Sequence, residues 1–208
     1  MVLRSAFGRA LDALVQKAIP EASDAFERVV QRYEDTGQAY HNLDHVAAVL
    51  LWVGRLGKLN PRDLATSALA VFYHDAVYDT RAKDNEERSA EFARQELGRL
   101  GVPEDGLVEI VRLILLTKTH RVEEGDLAGA VVVDADLAIL QAPPEEYDRY
   151  AAAIREEYAW VPEEEYRAGR TKVLKRLMSR RLFHSPLLDE EAGRANMRRE
   201  IERLRHQA

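Results

Sequence analysis

The sequence contains no cysteine, and this absence limits the chemistry that the chain can support. Disulfides, thiolate nucleophiles and thiolate metal ligands are excluded, so a metal would have to be held by histidine, aspartate or glutamate. The phosphate-loop, dinucleotide-binding and HExxH zinc-protease patterns are also missing. No serine stands in a GxSxG context, which removes the usual setting of a serine nucleophile.

The chain also lacks a basic excess and a long apolar run. Its formal net charge is -6, which argues against broad binding to nucleic acid or to an anionic membrane. No apolar segment is long enough to cross a bilayer, and Arg9 and Asp12 interrupt the first apolar stretch. Hydrophobic residues make up 46% of the 208 residues and charged residues 32%, as in a soluble globular protein. We therefore expect a cytoplasmic protein without nucleic-acid or membrane partners.

The apolar residues recur at helical spacing almost throughout, between short breaks rich in glycine and proline. This periodicity predicts an all-α, single-domain helical bundle over residues 1–208, with a core at about 40–140 and a helical extension at about 143–206. Helices are predicted at about 3–18, 23–34, 43–56, 62–75, 85–100, 104–119, 126–140, 145–159, 163–181 and 189–205. Ser23 and Asn42 are the predicted N-caps of the second and third helices.

Three of the predicted helices carry more specific predictions. The third helix contains VAAVLLWV, which is apolar nearly all round and predicts a central position. The segment AVVVDADLAIL has a β-branched run typical of a strand, but the run is brief and its neighbours alternate as helices do, so we predict a helix. In the fourth helix the spacing aims Asp75 at the core, where an unpaired carboxylate is costly and needs a cation or hydrogen-bond donors.

Histidine and aspartate recur in three separated helices. The stretch YHNLDHV places His41 and His45 four residues apart, the fourth helix ends in the pair His74–Asp75, and a later helix carries the segment DADL. A lone histidine on an apolar face is more often a hydrogen-bonded core residue than a ligand. Imidazole and carboxylate groups from several packed helices, however, suit a divalent metal in a bundle core.

This arrangement resembles the HD superfamily of metal-dependent phosphohydrolases, whose signature is a histidine, a His-Asp pair and a distant aspartate. The motifs YHNLDH, YHDAVYD, NEERSA and TKTH occur here in the order found in a bacterial subgroup of predicted HD hydrolases. Together they are more specific than a His-Asp pair alone. The resemblance covers about residues 33–140 and implies an HD-type helical bundle.

The resemblance also implies the metal ligands, which are His45, His74, Asp75 and Asp136. Asp134 is the alternative to Asp136, because two residues on a helix point about 200° apart and only one of them is aimed at a given site. The ion is a divalent metal, and the ligand types admit manganese, iron, cobalt, nickel, magnesium or zinc.

Further residues receive roles around this centre. Asp79, one turn after Asp75 if the helix continues, and Glu86 are the candidate catalytic carboxylates that orient or deprotonate water. Lys118 and His120, in TKTH, are predicted to hold the substrate phosphate or a second metal, and His41 to line the pocket mouth. Structural roles are the alternative to these functional ones. Glu86 suits the start of a helix, His120 and Lys118 suit the end of a helix, and His41 can belong to the entry of the third helix.

The expected function is therefore a metal-dependent phosphohydrolase, either a phosphomonoesterase or a pyrophosphohydrolase, acting on a small, nucleotide-like phosphate compound. Tyr78 stands where the related stringent-response hydrolases carry glutamate. This departure motivates an alternative, a non-catalytic metal-containing module that binds a nucleotide or regulates. Arg170 or Lys172, in the basic segment near residue 175, could reach a substrate phosphate or simply face solvent. A ferritin-like di-metal bundle is disfavoured, because no histidine follows a glutamate by three residues.

Overall fold

A computed structural model, described over residues 2–15 and 19–206, shows an all-helical chain. The predicted all-α, single-domain bundle is confirmed, and no strand occurs in the described residues. In these described ranges, ten α-helices follow one another as α1 (Val2–Val15), α2 (Ala22–Thr36), α3 (Leu43–Leu56), α4 (Pro61–Tyr73), α5 (Asn85–Arg99), α6 (Glu104–Thr119), α7 (Leu127–Leu137), α8 (Pro144–Glu157), α9 (Glu163–Met178) and α10 (Glu190–His206). A short 3₁₀ helix, Ala138–Gln141, separates α7 from α8.

The two predicted N-caps have different outcomes. Asn42 caps α3, as predicted, and its side chain accepts hydrogen bonds from the backbone N–H groups of Asp44 at 2.9 Å and His45 at 3.3 Å. The prediction for Ser23 is wrong, because α2 already begins at Ala22. The Ser23 hydroxyl instead accepts a hydrogen bond from Arg4 on α1. The predicted end of the first helix, at residues 16–18, lies outside the described residues.

The most central helix is α4 rather than α3. Eight consecutive or nearly consecutive positions of α4 are buried, and the helix packs against α1, α3, α5, α6 and α7. The predicted central position of α3 is wrong, since Leu51 on its outer side is 54% exposed. One face of α3, which carries His45 and Val49, is nevertheless buried against α4 and α7. The buried face of α3, which carries His45, therefore packs against α4, whose C-cap residue is His74.

The strand-like segment is confirmed as a helix, α7. Eight of its eleven residues are buried, and it contributes Val131 and Val132 to one hydrophobic cluster and Val133 and Leu137 to a second. The first cluster joins α1 to α6, and the second joins the end of α7 to α9 and α10. A β-branched run suits this position because both sides of the helix face apolar neighbours.

The start of α7 is closely packed. Asp126 caps the helix by accepting the backbone N–H of Gly129 at 2.9 Å, and its carboxylate also pairs with Arg112. A Cβ at Gly129 would collide with the Asp126 carboxylate and the Leu116 side chain, so only glycine fits without displacing the cap. The cap therefore sets the beginning of the helix that later carries Asp136.

Within the described part of the chain, no single helix is long and apolar enough to cross a membrane. The segments Leu127–Gln141 and Pro144–Glu157 pass this test of length and composition only as a pair, which is bent by 105°.

Candidate metal centre

Two histidines and an aspartate from three helices meet in the bundle core. His45 lies on α3, His74 is the C-cap residue of α4, and Asp136 lies near the end of α7. One ligand atom from each lies within 4.8 Å of the others, and the group could hold a metal ion. The two Nε2 atoms are 3.2 Å apart, and Asp136 Oδ1 lies 3.2 Å from Nε2 of His45 and 3.6 Å from Nε2 of His74.

Asp75 lies beside the same group. Its Oδ2 is 3.0 Å from Nε2 of His74 and 3.8 Å from Nε2 of His45. The residue follows the end of α4, so its side chain is placed by the turn that begins at His74 and not by the helix itself. The structure thus brings together all four residues that the HD resemblance predicts as ligands, and their ligation of a metal stays a prediction.

The two aspartates of DADL have separate surroundings. Asp136 points into the cluster, as the interpretation of the motif favoured. Asp134 is buried on another side of α7 and accepts the backbone N–H groups of His184 at 2.8 Å and Ser185 at 2.6 Å. Burial raises the pKa of Asp134, with these donors opposing the rise. Asp134 therefore ties the segment between α9 and α10 to α7.

Neighbouring groups orient the cluster. Nδ1 of His74 lies 2.8 Å from the carbonyl oxygen of Val71, which accepts its proton, so Nε2 is the atom turned toward the carboxylates. His120, predicted to bind substrate, has its Nε2 2.9 Å from Oδ2 of Asp136. His120 also ends α6 with a left-handed backbone, φ 50°, so its helix-end role and its contact with the cluster occur together.

The charges of the cluster are strongly coupled. Burial alone would raise the pKa of Asp136, but hydrogen bonds from His120, His45 and His74 hold it well below its ordinary value. Burial likewise opposes ionisation of Asp75, whose pKa is nevertheless lowered to about 2, mainly by His74. Burial lowers the pKa of His45. Burial would lower the pKa of His74 too, but Asp75 and Asp136 raise it well above its ordinary value.

These residues fit a divalent metal ion. The donor set combines two imidazole nitrogens with two carboxylates, and the carboxylates are only 13% and 15% exposed. Two buried negative charges so close together are costly unless cations or donors compensate them. The hydrogen bond from His74 to Val71 is the kind of outer contact that directs a histidine toward a metal.

His41 lies next to the cluster and is held by a residue that the sequence does not predict. Its Nδ1 lies 2.7 Å from Oε2 of Glu157, at the end of α8, and its ring stacks on Tyr78 with centroids 4.1 Å apart. Oε1 of Glu157 accepts the backbone N–H groups of Tyr40 at 2.7 Å and His41 at 2.9 Å. Only 1% of the Glu157 side chain is exposed, so this carboxylate fixes the YHN segment before α3.

Asp79 does not join the cluster. The helix that was expected to carry it ends at Tyr73, and Asp79 lies exposed in the following loop. Its side chain accepts the backbone N–H of Arg81 at 2.9 Å, and its own N–H donates to Asn85. The contacts of Asp79 are therefore those of a loop residue.

Glu86 and Lys118 lie close to each other, and Lys118 is hydrogen-bonded to residues outside the cluster. Nζ of Lys118 donates to the carbonyl of Lys83 at 2.8 Å, pairs with Glu87 at 2.7 Å and lies 3.7 Å from Glu86. Glu86 stands in the first turn of α5, where the helix dipole favours an acidic residue. Their catalytic and phosphate-binding roles stay predictions, and the observed contacts favour the ordinary alternatives.

Arg170 has a structural setting. Its Nε pairs with Oε1 of Glu200 at 2.8 Å, and its Nη2 donates to the hydroxyl of Tyr150 at 3.2 Å. Glu200 also accepts the hydroxyl of the buried Tyr147. The suggestion that Arg170 reaches a phosphate is not supported by these contacts, and Lys172 lies exposed on α9.

A cleft of about 870 Å³ opens beside the cluster and has His45 and Asp136 in its wall. Tyr40, Trp52 and Tyr150 supply aromatic surface to it.

The chain matches no protein-family model, and neither a curated protein nor a solved structure matches it significantly.

Proposed function

We propose that the protein is a metal-dependent phosphohydrolase of the HD type, acting on a small, nucleotide-like phosphate compound. The observation that carries the proposal is the meeting of His45, His74, Asp75 and Asp136, which come from three distant parts of the sequence. Without a bound ion, burial of these polar and charged groups in the core would cost free energy. A divalent ion would compensate the charge of the carboxylates.

The HD assignment also draws support from the motifs. The four signature residues come from three helices of an all-helical bundle, with His45 on α3, His74 and Asp75 at the end of α4, and Asp136 on α7. The aspartate that enters the group is Asp136, which is the residue that the resemblance implies. A helical bundle by itself hosts many activities, so the residues of the site, and not the fold, support the proposed function.

When bound, a divalent ion would supply Lewis-acid stabilisation of phosphoryl oxygens and a water of lowered pKa. The chain's own residues would position the reactants around that ion. His74 keeps its Nε2 directed inward through the bond to Val71. His120 and His41 border the ligand set and would donate hydrogen bonds to phosphate oxygens as charge develops, with Glu157 holding His41 in orientation.

A phosphate-release assay tests the proposal. The protein is incubated with phosphomonoesters and pyrophosphates after addition of manganese, cobalt, nickel, magnesium, zinc or ferrous ion, with a chelated sample as reference. We expect metal-dependent release that His74→Ala abolishes and His184→Ala retains, because the hydrogen bonds of His184 to Asp134 come from its backbone N–H. Full activity of His74→Ala would contradict the proposal.

One observation favours a second candidate, a non-catalytic module that binds a phosphate compound. The two carboxylates predicted to activate water, Asp79 and Glu86, make their hydrogen bonds and ion pairs outside the cluster. Metal-dependent binding of a nucleotide, without product under any of the metals offered, would support this candidate over the enzyme.

A further inference from the structure

The cleft beside the cluster of histidines and aspartates has the lining of a site that binds an organic group. It runs between α3 on one side and the 3₁₀ helix and α8 on the other, and it ends at His45 and Asp136. A molecule whose phosphate reached the cluster would therefore have the remainder of its structure in this cleft. At about 870 Å³ the cleft lies in the upper part of the range of ordinary ligand pockets, about 300–1,000 Å³.

The walls of the cleft are mostly apolar and smooth. Alanines from both sides, including Ala48, Ala138 and Ala153, leave the space between the walls free. Trp52 and the two tyrosines add flat aromatic surface, which interacts favourably with other planar groups. Asn42 and Gln141 add polar groups to the lining, but the aromatic rings are the feature that distinguishes it, so the lining favours a planar group.

The aromatic surface is continuous with the metal cluster and is held in place. The Tyr40 ring lies 4.8 Å from the His45 ring and 4.6 Å from the Tyr150 ring, measured between centroids. Tyr150 is anchored from behind by Arg170, which is itself paired with the buried Glu200. Because these side chains are already held in place, the binding of a ring costs little additional conformational entropy in the wall.

The charged residues of the cleft argue for a single anionic group. Arg55 and Arg149 carry positive charges, and Asp44 and Glu146 carry an equal number of negative ones. Arg55 is also placed over the Trp52 ring, 5.2 Å from its centroid. The cleft outside the cluster thus has no surplus of positive charge with which to attract a second phosphate.

We propose that the cleft binds the planar, aromatic part of a phosphate monoester, with the single phosphate at the His45–Asp136 end. This inference rests on the proposed function for the position of the phosphate, and it narrows the substrate class. Monoesters of aromatic or nucleoside-like alcohols are included, whereas polyol phosphates and polyphosphates are not.

Binding can be measured without turnover through the tryptophan in the cleft. The chain has two tryptophans, and Trp160→Phe leaves Trp52 as the only one. Trp160 lies elsewhere, where its indole donates to Thr80 and Arg81 covers its ring. Quenching of Trp52 fluorescence is then titrated in the presence of manganese with benzylphosphonate, with methylphosphonate and with p-xylylenediphosphonate, none of which has a hydrolysable ester.

We expect benzylphosphonate to bind at least about tenfold more tightly than methylphosphonate, which corresponds to about 1.4 kcal/mol. The second phosphonate of p-xylylenediphosphonate should add no affinity. Equal affinities of the first two ligands, or no quenching by any of the three, would overturn the aromatic subsite. A further tenfold gain from the second phosphonate would overturn the preference for a single anionic group.

Narrowing the cleft gives an independent test. Ala48→Leu, on α3, should weaken benzylphosphonate by about tenfold and leave methylphosphonate nearly unchanged, since a leucine would occupy the space of the ring. Ala168→Leu, on the exposed side of α9, is the matched control and should change neither affinity. Ala153→Leu, on the opposite wall, repeats the test if the first variant is unstable. An unchanged benzylphosphonate affinity in both cleft variants would contradict the inference.

The outcome is separable from that of the proposed function. Absence of phosphate release from every ester would end the enzyme proposal, whereas the selectivity among phosphonates would still report the cleft. Turnover of glycerol phosphate as fast as that of phenyl phosphate would leave the enzyme proposal intact and overturn the inferred substrate class.

Discussion

Replacement of Glu200 by alanine should destabilise the protein severely, because it leaves a buried cation unpaired. The side chains of Arg170 and Glu200 are 9% and 5% exposed, so solvent cannot replace the lost carboxylate. Breaking such a pair by removing one partner costs about 3–5 kcal/mol. The hydroxyl of the fully buried Tyr147 would lose its acceptor in the same variant.

This loss is large compared with the net stability of a domain, about 5–15 kcal/mol. For a chain of this size it corresponds to a decrease of about 6–20 °C in melting temperature. Urea unfolding followed by circular dichroism measures the free energy, and an unchanged m value would show that the unfolded state is comparable. Glu191→Ala, on the exposed side of the same helix, is the control and should change stability by no more than about 0.5 kcal/mol.

The double variant Arg170→Met with Glu200→Leu separates charge from packing. An apolar pair of similar volume should recover the part of the loss that comes from the unpaired charge, because neither side chain then needs compensation, while the Tyr147 hydroxyl still lacks its acceptor. A loss below about 1 kcal/mol in Glu200→Ala, the range of surface ion pairs, would refute the description of this pair as buried and desolvated.

Three further variants test the helix that carries Asp136. Burial alone would raise the pKa of Asp126, but Arg112 and the N–H of Gly129 lower it, so the carboxylate stabilises the fold above about pH 4 and less as the pH falls through its folded pKa. Asp126→Asn should therefore have a lower urea midpoint than the parent at pH 7, with the difference shrinking as the pH falls below about 4; a constant difference would contradict this. Gly129→Ala should lose about 1–3 kcal/mol in urea unfolding by displacing the cap, and an unchanged midpoint would disprove the close contact. Asp134→Ala should lose about 1–3 kcal/mol by the same measurement, since two backbone donors lose their acceptor, and proteolysis near residue 185 should accelerate.

The sequence predicts the helical bundle well because the signal is local. Periodic apolar residues and the Asn42 cap are contained within single helices, and both are present in the structure. The segment of α7 is also predicted correctly, since its β-branched run is short and buried on both sides. Ser23 shows the limit of such signals, because a hydroxyl near a helix start has other partners available, here Arg4.

The site is predicted only in part, for two physical reasons. The place where α4 ends decides whether Asp79 faces the cluster, and helix ends are set by tertiary contacts that a periodic pattern does not contain. Glu157 contacts His41 across 116 residues of sequence, so no spacing rule connects the two. The acidic segment after residue 144 gave no sign that one of its carboxylates is buried beside the cluster.

Asp136, and not Asp134, is the proposed metal ligand on α7. Metal content after loading with each divalent ion and removal of the excess, measured by mass spectrometry, should be near one equivalent or more in the parent protein. Asp136→Ala should lose this metal, whereas Asp134→Ala, two residues away on the same helix, should keep it while being less stable. Equal metal content in the two variants, or no metal in the parent with any ion offered, would contradict the account.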